Sequence, residues 1–404
     1  MNAATKAPAA RGRRRSGAAR RRLRAAIIIG TRPEAIKLAP VVQELRDRDM
    51  ETVVIGTGQH RDLVDPVLRL FGLALDHDLK IMQPDSSLNA VLTLAIERVG
   101  AILARLEPGA VVVQGDTTSA LGGALAAFNC GIPVAHVEAG LRSHNLALPF
   151  PEEMHRRVIS IVSRWHFAPT RHAAAELRSE HAPGRIVVTG NTVVDAVRFI
   201  LGSRPKGSSL PDQPPAPYIL ATAHRRESWG TPIRNIALGL RDVLAERPDL
   251  SVVFATHPNP KAHGPVKQVL GGEPRARLVG PMEYDAFLAI LRGAVLAVTD
   301  SGGVQEEGPT LGVPVLVTRS VTERPEGLEA GAVRMVGTGR ASIRRAIGAL
   351  LDDPAERSRM GRVGRRVYGD GTAARRIADT LVSDLEADRA VKRGAKLPEA
   401  PFLS

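Results

Sequence analysis

The sequence predicts an α/β protein built from two doubly wound, Rossmann-like domains with a ligand cleft between them. Short, almost wholly apolar runs alternate with longer stretches of helical periodicity along most of the chain. Such runs are typical of parallel strands that helices cover on both faces. A segment rich in Pro, Gly and Ser at 201–217 interrupts the alternation, which then restarts. This interruption predicts a linker between two domains.

The strand candidates are bounded by Gly, Pro or charged residues, which mark their ends. In the first half they lie at 25–30, 52–56, 110–116 and 132–138, and a further strand with its helix lies at 185–200. After the linker they lie at 218–224, 250–257, 276–281, 294–300 and 313–318. We therefore divide the chain into a disordered basic tail at 1–24, an N-terminal domain at 25–200, the linker, a C-terminal domain at 218–380 and a C-terminal tail at 381–404, of which 389–404 is expected to be frayed.

Composition limits the class of protein. The 404 residues carry a net charge of +13, and nine Lys and Arg lie in the first 24 positions with no Asp or Glu. This tail is either a dispensable extension or a polycation that contacts nucleic acid or anionic lipid nonspecifically. Only 3% of residues are aromatic, which argues against stacking platforms for single-stranded nucleic acid. The single Cys130 excludes an intramolecular disulfide. Neither a signal peptide nor a membrane-spanning run is evident, so we expect a cytoplasmic protein.

Polar residues that can bind or react follow six of the predicted strands. Arg32 and Lys37 follow the first strand, and the others are Asp116, Glu138, His224, His257 and the group from Asp300 to Gly303. Each position alone has an ordinary explanation, such as a helix cap or a turn residue. Because ligands of doubly wound sheets bind outside the carboxyl ends of the strands, six such positions together predict one polar crevice.

The stretch TDSGGVQEE at 299–307 predicts a nucleotide site. Residues 301–303 begin a helix whose free N–H groups and dipole favour an anion. Glu307 lies one turn along, where a carboxylate suits a ribose diol, and Glu306 is interpreted as a solvated helix residue. After the first strand only Gly30 is present, without the further glycines of a dinucleotide loop. No metal-ligand cluster is visible either, so we expect no cofactor.

The segment SHNLALPFPEEMHRR at 143–157 has two interpretations. Glu152 and Arg156 lie four residues apart on a helix that starts near Pro151, which is the spacing of an ordinary surface ion pair. Alternatively, Glu152 is a third carboxylate that reaches the crevice beside Asp116 and Glu138.

Eleven motifs occur in order along residues 27–379. They are GTRPEAIKLAP, GQHRDLVD, IMQP, QGDTTSALGGALAAF, IPVAHVEAGLRS, PFPEEMHRR, TGNTVVDA, HRRES, TDSGGVQEEGPTLGVPVLV, TERPEG and YGDG. Together they resemble the motifs of the non-hydrolysing UDP-N-acetylglucosamine 2-epimerases. The resemblance implies a glycosyltransferase-B-type fold, a UDP-binding C-terminal domain and a homodimer. It also implies that UDP-GlcNAc is converted to UDP-ManNAc for surface polysaccharides.

The resemblance implies a mechanism as well. UDP is eliminated across C1–C2 to give 2-acetamidoglucal, and is added back while a proton returns to the other face of C2. By motif match the acid and base groups are Asp116, Glu138, Glu152 and His224. The residues that would hold phosphate, ribose and uracil are Arg32, Lys37, Phe287, Ser301, Gly302, Gly303, Glu307 and Arg324. Which carboxylate removes the proton and which returns it stays open.

A second UDP-GlcNAc, bound as an activator next to the substrate, is also implied by the resemblance. Its motif residues match Gln59, His60, Gln83 and His257. Three positions depart from the usual pattern of the family: Pro66 stands in place of Gln, His155 in place of Asn, and Met282 in place of Gln beside the uracil.

Three alternatives stay open at this point. A hydrolysing epimerase would release ManNAc and UDP. A glycosyltransferase of the same architecture would need an acceptor, which the set of three carboxylates does not favour. A non-catalytic nucleotide-sugar sensor with a DNA-binding tail would leave those carboxylates idle.

Overall fold

The computed structural model describes residues 22–58, 61–82, 86–203 and 217–394. These residues form two sheets, one of seven strands and one of six. The predicted activator residues Gln59, His60 and Gln83 lie outside the described residues, as do positions 1–21 of the basic tail. Among the helices described, none is both long and apolar enough to cross a membrane.

The first sheet and its helices occupy the chain up to the gap at 204–216. In order, the elements are β1 (Arg24–Ile29), α1 (Arg32–Arg46), β2 (Glu51–Gly56), α2 (Arg61–Leu70), β3 (His77–Asp78), α3 (Leu88–Leu106), β4 (Ala110–Gln114), α4 (Thr118–Asn129), β5 (Val134–Val137), α5 (Glu152–Val162), β6 (Ser163–Ala168), α6 (Arg171–Ser179), β7 (Arg185–Val188) and α7 (Thr192–Ser203).

The second sheet and its helices follow the gap. In order, they are β8 (Tyr218–Thr222), a 3-10 turn (Arg226–Ser228), α8 (Thr231–Glu246), β9 (Ser251–Ala255), α9 (Pro260–Leu270), β10 (Ala276–Val279), α10 (Tyr284–Gly293), β11 (Leu296–Thr299), α11 (Gly302–Leu311), β12 (Val315–Val317), α12 (Pro325–Glu329), β13 (Val333–Met335), α13 (Arg340–Asp352), α14 (Pro354–Val367) and α15 (Ala373–Gly394).

Both sheets are parallel and doubly wound, which confirms the predicted fold class. The strand orders are β3-β2-β1-β4-β5-β6-β7 and β10-β9-β8-β11-β12-β13. The order reverses between β1 and β4 in the first sheet, and between β8 and β11 in the second. Because helices leave opposite faces of the sheet on either side of such a reversal, a crevice opens there at the carboxyl ends of the strands.

The first sheet is buried on both faces. Ile27 and Ile29 of β1 pack into the core on one face, whereas Ile28 packs into a second core with α3 and α4 on the other. A strand with two buried faces needs a continuous apolar run, which is why AAIII carries no polar residue.

Helix α15 continues past residue 381, where the sequence predicted the end of the C-terminal domain and the start of a tail. Leu381 and Leu385 are buried in the same core cluster as Ile27. The Trp165 indole donates a hydrogen bond to Asp384 at 2.8 Å. The helix therefore covers the first sheet although it follows the second sheet in sequence. Helix α7, likewise, continues to Ser203 into the predicted linker.

Strand β6 was not among the strand candidates. Helix α5 ends at Val162 and β6 begins at Ser163, so no turn residue separates them. His166 lies on this strand and is fully buried, which breaks the apolar pattern. The strand is interior because it pairs with both β5 and β7.

Deleting residues 1–21 is expected to leave the melting temperature unchanged, whereas deleting residues 1–24 is expected to lower it by several degrees. Leu23 is buried and its carbonyl accepts a hydrogen bond from the Glu51 N–H. Arg24 donates to the Leu106 carbonyl at 2.8 Å and pairs with Glu51. The predicted tail boundary at 24 thus lies inside β1. Thermal melts of the two truncations test this, and equal melting temperatures would contradict it.

Candidate active site

One cavity of about 580 Å³ lies at the switch points of the two sheets. This volume is within the usual range for small-molecule sites. Every predicted site residue inside the described part of the chain lines it. These residues are Arg32, Lys37, Asp116, Glu138, Glu152, His224, His257, Phe287, Ser301, Gly302, Gly303, Glu307 and Arg324. The structure thus brings together residues that are up to 292 positions apart in sequence, from Arg32 to Arg324.

The start of helix α11 forms an anion-binding corner. Ser301 is the N-cap, and Gly302 and Gly303 form the first turn. A Cβ atom at position 302 would lie 2.8 Å from Nη1 of Arg324, so only glycine allows the guanidinium to lie this close. The helix dipole and Arg324 therefore place positive charge at the same corner.

Glu307 lies one turn further along α11, next to an aromatic contact. The Tyr284 hydroxyl donates a hydrogen bond to Glu307 Oε1 at 2.9 Å. The Arg32 guanidinium lies 5.6 Å from the centroid of the Tyr284 ring, so the start of α1 contacts α10, which packs on the other sheet. Burial raises the pKa of Glu307. Phe287, on the same helix as Tyr284, also lines the cavity.

Asp116 is held by the helix that follows the PFPEE motif. Arg156 donates two hydrogen bonds to Asp116 Oδ2, at 2.5 Å and 3.1 Å. The backbone carbonyl of Asp116 contacts His155 Nδ1 at 2.9 Å. Arg156 therefore pairs with Asp116 and also with Glu153, and not with Glu152 as the four-residue spacing suggested.

The adjacent residues Glu152 and Glu153 differ in environment. Glu153 is buried and accepts hydrogen bonds from the Ser143 N–H and from Arg156. Glu152 lines the cavity, and its Oε2 is buried without a hydrogen-bond partner among the described residues. Glu153 anchors the loop before α5, whereas Glu152 lines the cavity and has one carboxylate oxygen without a hydrogen-bond partner among the described residues.

Glu138 follows β5 in a strained backbone conformation. Its φ of 64° lies in the left-handed region, which costs a residue other than glycine free energy and is frequent at functional sites. Its carboxylate accepts hydrogen bonds from Lys37 Nζ at 2.6 Å and from the Gln114 amide. Burial raises the pKa of Glu138, and Lys37 opposes this rise.

Two predicted phosphate ligands have carboxylate partners in the structure. Lys37 is only 5% exposed, and its Nζ lies 2.6 Å from Glu138 and 2.8 Å from Glu306. Arg324 donates to Glu306 Oε1 at 2.6 Å and also pairs with Glu323. The interpretation of Glu306 as a solvated residue was wrong, since it is 1% exposed and joins both cations. Three glycines on α11 (Gly302, Gly303 and Gly308) were the available sequence signal for a closely packed helix.

His224 and His257 lie side by side after β8 and β9. Their rings are stacked with centroids 6.4 Å apart. Asp300 lies 3.2 Å from His224 Nδ1 and accepts backbone hydrogen bonds from His224 and Arg225. Burial alone would raise the pKa of Asp300, but these partners outweigh it and hold the pKa below its usual value. Asp300 is thus an ionised residue that orients the His224 ring.

His155→Leu is expected to lower kcat by up to about tenfold, because one hydrogen bond to the Asp116 loop is worth about 1 kcal/mol. His155→Asn is expected to stay closer to the unsubstituted protein, since its amide can donate to the same carbonyl. Steady-state rates with melting temperatures as the folding control measure this. Equal rates for both variants would show that the His155 contact does not position Asp116.

The two parallel, doubly wound sheets, with a polar cavity at their switch points, define a protein of glycosyltransferase-B-type architecture. A family profile described as UDP-N-acetylglucosamine 2-epimerase matches residues 43–382. The chain belongs to the UDP-N-acetylglucosamine 2-epimerase family.

Known UDP-N-acetylglucosamine 2-epimerases are similar to this chain in sequence and in fold over most of its length. UDP-N-acetylglucosamine 2-epimerase of Escherichia coli (strain K12) is 42% identical over 365 residues, which is 88% of this chain and 97% of that protein. The crystal structure of UDP-GlcNAc 2-epimerase from Neisseria meningitidis bound to UDP-GlcNAc has a TM-score of 0.85 at 40% identity, covering 89% of this chain and all of that one. The Methanocaldococcus jannaschii enzyme in complex with UDP-GlcNAc and UDP has a TM-score of 0.74 at 31% identity, with coverage of 89% and 100%.

Proposed function

We propose that this protein is a non-hydrolysing UDP-GlcNAc 2-epimerase that interconverts UDP-GlcNAc and UDP-ManNAc. The observation that carries the proposal is the meeting of Asp116, Glu138 and Glu152 in one cavity with the start of helix α11. Family members whose names describe this reaction support it. The product would serve the synthesis of surface polysaccharides.

The chemistry requires both a base and a firmly held leaving group. A base removes the C2 proton, the C1–O bond to UDP breaks, and a C1=C2 double bond forms in 2-acetamidoglucal. In the return step a UDP oxygen bonds to C1 while an acid delivers a proton to the opposite face of C2. Acid and base groups are therefore needed on two faces of the sugar, and preorganised positive charge is needed where UDP departs.

UDP binding is assigned to the second sheet and its helices. The N–H groups of Gly302 and Gly303 would hold the β-phosphate, because they begin helix α11 at the cavity. Ser301 would contribute its hydroxyl, because its N–H already donates to Thr299 Oγ1 at 2.9 Å. Glu307, fixed by the Tyr284 hydroxyl, would accept hydrogen bonds from the ribose. Phe287 would pack against the uracil, with Met282 beside it.

Positive charge for the diphosphate comes from Arg32 and Arg324. Arg32 lies at the start of α1 and contacts the Tyr284 ring across the cavity. Arg324 lies against Gly302. Lys37, which the sequence assigned to the diphosphate, would act first on Glu138, since both of its close partners are carboxylates.

The acid and base roles fall to four residues of the cavity. Glu152 lines the cavity, and its Oε2 has no hydrogen-bond partner among the described residues, so this carboxylate would exchange a proton with the substrate without breaking a contact of that oxygen. Asp116 and Glu138 are each held by a cation, Arg156 and Lys37 respectively. His224, oriented by Asp300, would protonate or stabilise the departing diphosphate.

A homodimer is also proposed. Phe128 at the end of α4 and Ile161 on α5 are 59% and 68% exposed, and these two helices pack side by side on the first sheet. Large apolar side chains on such a surface favour contact with another protein surface. Light scattering after size-exclusion chromatography should give twice the chain mass, and Ile161→Glu should shift it toward the monomer.

The expected activator site includes His257, which stacks on His224 within the cavity. We propose that a second UDP-GlcNAc contacts His257. A small amount of UDP-GlcNAc should then accelerate conversion of UDP-ManNAc, and His257→Ala should abolish the acceleration.

Product analysis by proton NMR tests the proposed function. With UDP-GlcNAc as the only addition and EDTA present, signals of UDP-ManNAc should appear and reach a constant ratio to the substrate. Accumulation of free ManNAc and UDP would instead identify a hydrolysing epimerase. Turnover that depends on an added sugar acceptor would identify a glycosyltransferase. Binding of UDP-GlcNAc without turnover would identify a sensor.

A further inference from the structure

Glu306 on α11 has no part in the reaction as assigned above, yet it lies at the centre of a buried ion cluster. Its Oε2 is 2.8 Å from Lys37 Nζ, and its Oε1 accepts a hydrogen bond from Arg324 Nε at 2.6 Å. Lys37 Nζ also lies 2.6 Å from Glu138 Oε1. Lys37 and Glu138 follow strands of the first sheet, whereas Glu306 and Arg324 belong to the second. The cluster therefore joins the two sheets across the cavity.

Stability alone does not account for this arrangement. Buried ion pairs are often no more stabilising than apolar side chains of similar volume, because the charges lose their hydration. Glu306 is fully buried and interacts with two cations that also face Glu138. The negative charge of Glu306 therefore changes the electrostatic potential at Glu138, and this potential affects how readily Glu138 exchanges a proton.

We propose that Glu306 is a positioning residue that keeps Glu138 able to exchange a proton, because it shares Lys37 and Arg324 with Glu138 across the interface between the two sheets. This inference rests on the proposed function, in which Glu138 is an acid or base. Without Glu306, Glu138 would face both cations alone and would hold a proton less readily.

The pKa shifts of Glu138 and Glu306 agree with a positioning role for Glu306 and a proton-exchanging role for Glu138. The groups that face Glu138 are Lys37 from α1, Glu306 from α11, Arg324 before α12 and the neutral amide of Gln114. Burial raises the pKa of Glu138, Lys37 and Arg324 lower it, and Glu306 raises it. For Glu306 itself burial is outweighed by Arg324 and Lys37, so its pKa lies below the usual value. Two neighbouring carboxylates with pKa values shifted in opposite directions are typical of an acid–base site.

The test compares Glu306→Gln with Glu323→Gln. Glu323 is the matched control because it is also buried and also pairs with Arg324, but its other partners are Arg225 and Arg319, not Lys37. The pH dependence of kcat/KM is measured with UDP-GlcNAc. In Glu306→Gln we expect the limb of the kcat/KM pH profile that reports the ionisation of Glu138 to move to lower pH by about one unit or more. In Glu323→Gln we expect that limb to stay in place, whatever the change in rate.

Two results would overturn the proposal. One is a uniform loss of rate in Glu306→Gln with the pH profile unmoved, which indicates a purely structural role. The other is an equal displacement in both variants, which indicates a general change in the charge of the cluster.

A measurement without turnover separates this inference from the proposed function. Melting temperatures of Glu306→Gln, Lys37→Met and the double variant form a cycle. If Lys37 and Glu306 act as a pair, the melting temperature of the double variant is higher than the sum of the two single shifts predicts. The double variant should then fold even if Glu306→Gln alone does not. Additive changes would contradict the pairing. Absence of epimerisation by the unsubstituted protein would instead refute the proposed function and, with it, the role of Glu306 in proton exchange.

Discussion

Glu152→Gln is expected to lower kcat by about 10²–10⁴-fold, because it removes a group that exchanges a proton with the substrate. Its melting temperature is expected to stay unchanged, since the buried Oε2 of Glu152 has no hydrogen-bond partner among the described residues. UDP binding, measured by calorimetry, is also expected to persist. Asp116→Asn and Glu138→Gln should lose activity to a similar degree, but with a lower melting temperature because each is paired with a cation.

Glu153→Gln is the matched control for Glu152→Gln. Glu153 is the neighbouring residue, but it is buried against Arg156 and Arg157 and accepts the backbone N–H of Ser143. Its loss should reduce the free energy of unfolding by about 3–5 kcal/mol, the usual cost of breaking a buried ion pair. Near-normal turnover in Glu152→Gln would show that the acid or base role lies elsewhere. An equal loss of stability in Glu152→Gln and Glu153→Gln would contradict the conclusion that only Glu153 is held by buried ion pairs.

Lys37→Met should reduce the free energy of unfolding by about 3–5 kcal/mol at neutral pH, because it leaves Glu138 and Glu306 buried without the cation between them. Activity should fall with it, since Glu138 loses the partner that holds it in place. Denaturant unfolding and steady-state kinetics measure the two effects. Lys267→Met on the exposed face of α9 is the control, with an expected change within about 0.5 kcal/mol.

The stability defect of Lys37→Met should depend on pH. The pKa of Glu138 is already raised above its ordinary value of 4.5, and loss of Lys37 removes an influence that lowers it. Above pH 4.5 the folded variant then keeps a proton that the unfolded chain releases. The contribution of Glu138 to stability is therefore greatest below about pH 4.5 and falls as the pH rises through the raised pKa. A defect that grows toward acidic pH would contradict this.

The sequence predicted the parts of the site that depend on strand ends. Asp116, Glu138, His224 and His257 each follow an apolar strand directly, and parallel sheets bring such positions to the same edge. The structure places all of them around one cavity. The start of α11 was likewise predictable from the glycines at 302 and 303, because the signal is local in sequence.

Contacts between the two sheets were not predictable in the same way. The burial of Glu306 depends on Lys37, which is 269 positions away in sequence, and on how the two sheets pack. A surface ion pair between Glu152 and Arg156 was one of two interpretations of their spacing, but Arg156 pairs with Asp116, which lies 40 positions away in sequence. Helix α15 follows the second sheet yet covers the first, which no local pattern indicates.

Incorporation of deuterium at C2 of the sugar tests most directly whether carboxylates of this cavity remove and return a proton. UDP-GlcNAc is incubated with the protein in D2O and followed by proton NMR. We expect UDP-ManNAc to form with deuterium at C2, and the C2 proton of the remaining UDP-GlcNAc to be lost as the reaction returns. Retention of the original proton at C2 in newly formed UDP-ManNAc would contradict the account.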